Sequence, residues 1–80
     1  MSNPEFYIVL KNDEPTEELE NAVYEAGFDD SSLTMRGGGA AIWIRHRPGD
    51  LTHVVREGLR QATNGGLHVS HVEIESAVFA

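Results

Sequence analysis

The run Leu33-Thr34-Met35-Arg36-Gly37-Gly38-Gly39-Ala40-Ala41-Ile42-Trp43-Ile44-Arg45-His46 constrains the fold most, because it reads as two strands doubled back on each other. Successive residues of a strand point to opposite faces of a sheet. Ala40, Ile42 and Ile44 therefore share one face and Ala41, Trp43 and Arg45 the other, while Leu33 and Met35 alternate with Thr34 and Arg36 in the incoming strand. Three consecutive glycines supply positive φ without a Cβ penalty, which a tight antiparallel reversal requires.

Eighty residues, 1–80, make a single domain with one small core. That is near the size at which burial only modestly exceeds the entropic cost of folding, so dimerisation would add stability. There is no cysteine, which removes disulfides, thiolate chemistry and CxxC-type zinc sites. No basic segment followed by an apolar run opens the chain, and no stretch approaches the ~20 apolar residues that span a bilayer. A soluble, cytoplasmic protein without a membrane partner is the expectation. Thirteen acidic against six basic residues leave a formal charge of −7, a sign that repels phosphate backbones, so direct nucleic-acid binding is not expected.

In chain order, Phe6-Tyr7-Ile8-Val9-Leu10 is five apolar residues in a row, which suits a central strand covered on both faces. Pro15 fits the first turn of a helix, with Asp13 or Thr16 as its cap. Leu19, Ala22, Val23 and Ala26 recur at the spacing of one buried helical stripe. Glu14, Glu17, Glu18 and Glu20 sit where the helix dipole favours negative charge, and read as a solvated helix start. Gly27 and Phe28 read as a Schellman-type stop, with Phe28 folding back on Val23. After the hairpin, Arg47-Pro48-Gly49 turns the chain and Asp50 caps a second helix with the stripe Leu51, Val54, Val55, Leu59 and Ala62, stopped at Asn64-Gly65-Gly66. Gly58 on that stripe costs about 1 kcal/mol relative to alanine and predicts a close helix contact there. In the last strand the apolar positions switch from odd (Leu67, Val69) to even (Val72, Ile74), which predicts a bulge or bend near Ser70. The apolar tail Ser76–Ala80 is expected to dock.

The order β-α-β-β-α-β predicts an α+β, ferredoxin-like sandwich: an antiparallel sheet in order 4-1-3-2 with two helices on one face. Two sites follow from that topology. On the helix-free face, Trp43 lies with Arg45, Arg36 and Thr34 as neighbours and with Tyr7 or Phe6 beside it on the first strand. Aromatic and arginine residues on an apolar patch are what interfaces use, so a homodimer or protein partner is expected there, with cover by Val78 and Phe79 of the same chain as the alternative. At one end of the sheet, Asp29 and Asp30 converge with Arg45, His46 and Arg47, either as an exposed ion-pair cluster or as a small polar site.

Other chemistry finds little footing. Arg36 to Trp43 begins like an RNA-recognition strand but lacks its first two aromatics. The glycines precede a strand rather than a helix, and no Gly-Lys-Ser/Thr follows them, so they form no phosphate loop. His46, His53, His68 and His71 have no metal-binding spacing, and the serines at 31, 32, 70 and 76 sit in no nucleophile elbow. No cofactor or metal is expected, and the chain does not read as an enzyme.

The segment Ala26-Gly27-Phe28-Asp29-Asp30, with the glycine turn, the apolar strand and the helix opening at Leu51, resembles the N-terminal α/β domain of a family of small bacterial proteins predicted to bind DNA through a following helix-turn-helix. Asp29 and Asp30 match that family's Gly-Cys-Asp-Asp motif, with Phe28 at the Cys position. Ile44 and His46 stand where the family has an aromatic and an arginine, which is displaced here to Arg45 and Arg47. Val69-Ser70-His71-Val72-Glu73 matches its Val-x-x-Val-Glu segment, and the likeness runs over about residues 6 to 78. The helix-turn-helix would begin where these residues stop, so the resemblance implies the fold and a bacterial, cytoplasmic setting rather than DNA binding. The leading expectation is a non-enzymatic interaction or regulatory module that self-associates through the Trp43 face. The alternatives are a small-ligand site at the Asp29/Asp30 and Arg45/Arg47 end, or a remnant of a DNA-associated regulator.

Overall fold

The apolar run Phe6–Leu10 forms β1 and is buried at all five positions, as a strand covered on both faces must be. It sits inside a four-stranded sheet seen in a computed structural model that describes residues 4–74. The expected docking of the tail and the cover by Val78 and Phe79 fall outside the described residues. The other elements are α1 (Glu17–Glu25), β2 (Ser32–Arg36), β3 (Gly39–Ile44), α2 (Leu51–Asn64) and β4 (Val69–Ile74). The strands lie in the order β2-β3-β1-β4, and every neighbouring pair is antiparallel. The result is a small α+β fold with two helices and four antiparallel strands.

Local chemistry sets the helix ends. Thr16 is the N-cap of α1, its Oγ1 accepting from the Leu19 amide at 3.1 Å. Pro15 therefore precedes the helix instead of sitting in its first turn, and Asp13 is not the cap. At the other end Gly27, with φ at +98°, lets the Phe28 amide donate to the Val23 carbonyl and its own amide to Tyr24, the Schellman pair of bonds. Asp50 caps α2 by accepting from the His53 amide at 2.8 Å. That helix stops through Gly66, with Leu67 donating back to Ala62.

One core lies between the sheet and the helices. Phe6, Ile8 and Leu10 of β1 and Ala40, Ile42 and Ile44 of β3 meet Leu19 and Val23 of α1 and Val54 and Ala62 of α2. Both helices thus cover the same face. Gly58 is buried against the sheet: a Cβ there would lie 3.1 Å from Ile8 Cδ1 and 3.5 Å from Ile44 Cδ1, so the close contact is with strand side chains and not the helix contact expected. The register of β4 on β1 slips between Val9↔His71 and Leu10↔Val69, leaving Ser70 as the extra residue. This keeps both Val69 and Val72 packed on the helix side despite their opposite parity.

Candidate interaction face

The helix-free face is built on a cross-strand pair. Tyr7 of β1 and Trp43 of β3 are directly opposite in the register, and their rings stack with centroids 5.7 Å apart and planes 13° off parallel. Each ring also has a guanidinium over it. Arg45, just past the end of β3, sits 3.9 Å from the indole centroid, and Arg36 of β2 reaches 4.3 Å from the Tyr7 centroid. Such contacts contribute roughly 0.5–1 kcal/mol each where exposed, and more where desolvated.

Carboxylates fix both ends of this array. The indole Nε1 donates to Glu5 Oε2 at 2.9 Å, and Arg36 Nε donates to Glu73 Oε1 at 3.1 Å. The second oxygen of Glu73 lies 2.9 Å from His71 Nε2, while His71 Nδ1 is 3.0 Å from Ser70 Oγ. A neutral imidazole protonated at Nε2 satisfies both contacts, donating to the carboxylate and accepting from the hydroxyl. Hydrogen bonds from His71 and then from Arg36 hold the Glu73 carboxyl below its usual range. Beneath these side chains Val9 and Ala41 are 2% and 0% exposed, although no helix among the described residues covers them.

The hairpin makes the long reach of Arg36 workable. Gly37 and Gly38 have φ of +62° and +85°, the signature of a two-residue type I′ reversal. A Cβ on Gly37 would run into the Glu73 carboxylate, so a side chain there would push that carboxylate aside from its place beside Arg36. Gly39 answers a different need: a Cβ on it would lie 2.9 Å from the Asn12 carbonyl oxygen and 3.0 Å from that of Leu10. Thr34 lies opposite Ala41, hence on this same face, and is partly buried.

At the charged end the structure joins only part of the expected group. Arg47 grips Asp30 with two bonds, Nε to Oδ2 at 2.9 Å and Nη2 to Oδ1 at 3.2 Å, and lies 5.1 Å from the Phe28 ring centroid. The Asp30 carboxyl is held below its usual range chiefly by the hydrogen bond from Arg47. Arg45 belongs to the Trp43 face instead: its guanidinium lies over the indole, while Arg47, beyond the end of β3 at Ile44, turns to Asp30. Asp29 and His46 are exposed. A pocket of about 150 Å³ has Asp29, Tyr24 and Phe28 in its wall, small against the ~300–1,000 Å³ of usual small-molecule sites. Among the described residues no three His, Asp or Glu side chains are grouped to hold a metal ion, and no helix is long and apolar enough to cross a membrane.

Sequence reasoning placed Trp43, Arg45, Arg36, Thr34 and Tyr7 on one face, and the structure brings them together there. It missed Glu5, His71 and Glu73, the partners that orient the array. The parity of Glu73 puts it on this face, but its link to Arg36 spans the sheet from β4 to β2 and depends on the strand order. Comparison with family models, with curated proteins and with solved structures returned no match to this chain.

Proposed function

We propose that this chain is a non-enzymatic interaction module of ferredoxin-like topology whose copies associate through the helix-free face of the sheet. The strand order, read from its other edge as β4-β1-β3-β2, and the packing of both helices on one face support that topology. One observation carries the pairing: the stack of Arg45, Trp43, Tyr7 and Arg36, with its rings and guanidinium groups held in place before any partner arrives. Side chains fixed in advance lose little entropy on binding, and Trp, Tyr and Arg are the residues that dominate interface energetics.

A second copy is the partner that the charges favour. The chain carries −7, yet within this array Arg36 and Arg45 are matched by Glu5 and Glu73. The patch is locally neutral, so two copies meet there without the repulsion their other surfaces impose. A dimerising module also fits the resemblance to N-terminal domains of bacterial helix-turn-helix proteins, since such proteins read DNA as two-fold dimers. On that reading the setting is the bacterial cytoplasm. Light scattering tests the pairing. A concentration-dependent dimer in the high micromolar range, lost in Trp43→Ala with the fold intact, supports it; a strict monomer unaffected by that substitution removes it.

A further inference from the structure

The two edges of the sheet are defended differently. β4 is interrupted at Ser70 by the register slip and carries His71 and Glu73. β2 pairs with β3 in unbroken register over Ser32–Arg36, and its sequence has no proline, lysine or acidic residue. Bulges and charges are what keep a sheet edge from pairing with another chain. The one charge on β2, Arg36, sits at its end and is turned over the Tyr7 ring onto Glu73, which leaves Ser32 to Met35 a regular, uncharged edge. Met35 on this strand is 54% exposed, a large apolar side chain without cover among the described residues.

The outward-facing backbone groups of β2 follow from the hairpin. The two-residue reversal closes on the pair Arg36↔Gly39, while the Ala40 amide donates to the Asn12 carbonyl, away from β2. Met35, opposite Ala40, therefore directs its N–H and C=O away from β3. By the alternation of antiparallel pairs Leu33 does the same, while Thr34 and Arg36 bond to β3. Two β2 strands laid antiparallel about Thr34 then match at every position. Leu33 meets Met35 of the second copy, twice, as hydrogen-bonded pairs. Thr34 meets Thr34, and Ser32 meets Arg36. Apolar faces apolar, hydroxyl faces hydroxyl, and no like charges stand opposite each other.

We propose that β2 is a self-pairing edge, which joins the sheets of two copies into one continuous sheet about a two-fold axis through Thr34. The helices of both copies then lie on one side and both Trp43 faces on the other. This contact uses neither Trp43 nor Tyr7; Thr34 and Arg36 are common to it and to the helix-free face, so Trp43→Ala separates the two.

The absence of cysteine makes the register directly testable. Thr34→Cys sets two thiols on the axis, in a pair whose Cα atoms stand about 4.5 Å apart, within disulfide reach. Ser32→Cys sets them four residues out of line, about 14 Å apart. Under mild oxidation Thr34→Cys is expected to form the covalent dimer at least tenfold faster than Ser32→Cys, to keep that advantage in a Trp43→Ala background, and to lose it with Met35→Lys. Equal rates for the two cysteine variants overturn the proposal. In the unmodified protein, hydrogen exchange at the Leu33 and Met35 amides is expected to slow as concentration rises, while Thr34 is protected at every concentration. Exchange at Leu33 and Met35 that ignores concentration overturns it too. Loss of face association with retention of the Thr34→Cys link, or the reverse, tells the two contacts apart.

Discussion

Arg47 and Asp30 make the same kind of pair that covers many protein surfaces, but their surroundings differ in what they contribute. The Arg47 side chain is only 18% exposed and lies over Phe28, so Arg47→Ala removes packing as well as charge. Asp30→Asn is expected to cost no more than about 1 kcal/mol and Arg47→Ala about 1–2 kcal/mol in denaturant midpoints at neutral pH. The pH dependence has a definite sign. The folded-state pKa of Asp30 is depressed from an ordinary value of 3.8, so its contribution is fully present above that value and is lost as pH falls through it toward the folded-state value. The difference between wild type and Asp30→Asn should therefore shrink on acidification through that window; a constant difference contradicts the pairing. Local residues such as Asp30 and Arg47 were legible because the topology alone brings their loops to one end of the sheet. Arg45 was assigned to both sites, because side-chain parity puts it with Trp43 while chain position puts it beside Arg47; the packing of its guanidinium on the indole decides for the first.

Among the elements, the hairpin and α2 carry the tightest constraints, and each yields a test. Gly37 and Gly38 both need positive φ, which costs an L-residue roughly 1–2 kcal/mol, but only Gly37 also has the Glu73 carboxylate where a Cβ would go. Gly37→Ala is thus expected to destabilise more than Gly38→Ala and to release Glu73 from Arg36, readable as a loss of the Arg36 side-chain signals that report an ordered guanidinium. Equal effects of the two substitutions count against that approach. For Gly58, alanine restores about 1 kcal/mol of helix propensity but places a Cβ 3.1 Å from Ile8 Cδ1. Gly58→Ala should stay within about 1 kcal/mol of wild type, while Gly58→Val overpacks the sheet contact and costs on the order of 1–3 kcal/mol in thermal or chemical unfolding. These elements were readable in the sequence because caps, glycine stops and side-chain parity are local signals. The slip at Ser70 was readable for the same reason, as a change from odd to even apolar positions. Pro15 was misplaced because Thr16, one residue later, offers a β-conformation cap whose hydroxyl reaches Leu19. The roles of Glu5, His71 and Glu73 were not readable, since they depend on which strands lie side by side and on how far the long side chains reach across them.

For the molecule as a whole, charge and size act against each other. A chain of this length gains from burying a further face, yet −7 on each copy opposes their approach. Charges more than about 8 Å apart are largely screened at physiological ionic strength, whereas contacts inside a neutral patch are not. Association should therefore strengthen as salt rises from low to moderate concentration, as followed by sedimentation; weakening with salt would point to ion pairs between copies instead of the stacked array. Trp43 is the only tryptophan, and its indole stands in the middle of that array. Its emission and its quenching by acrylamide across a dilution series therefore test the central claim most directly. Copies pairing through this face predict a blue-shifted, poorly quenched indole at high protein concentration that turns red and accessible on dilution, while the fold stays constant. An emission maximum and quenching constant that are the same from nanomolar to high micromolar protein would contradict it.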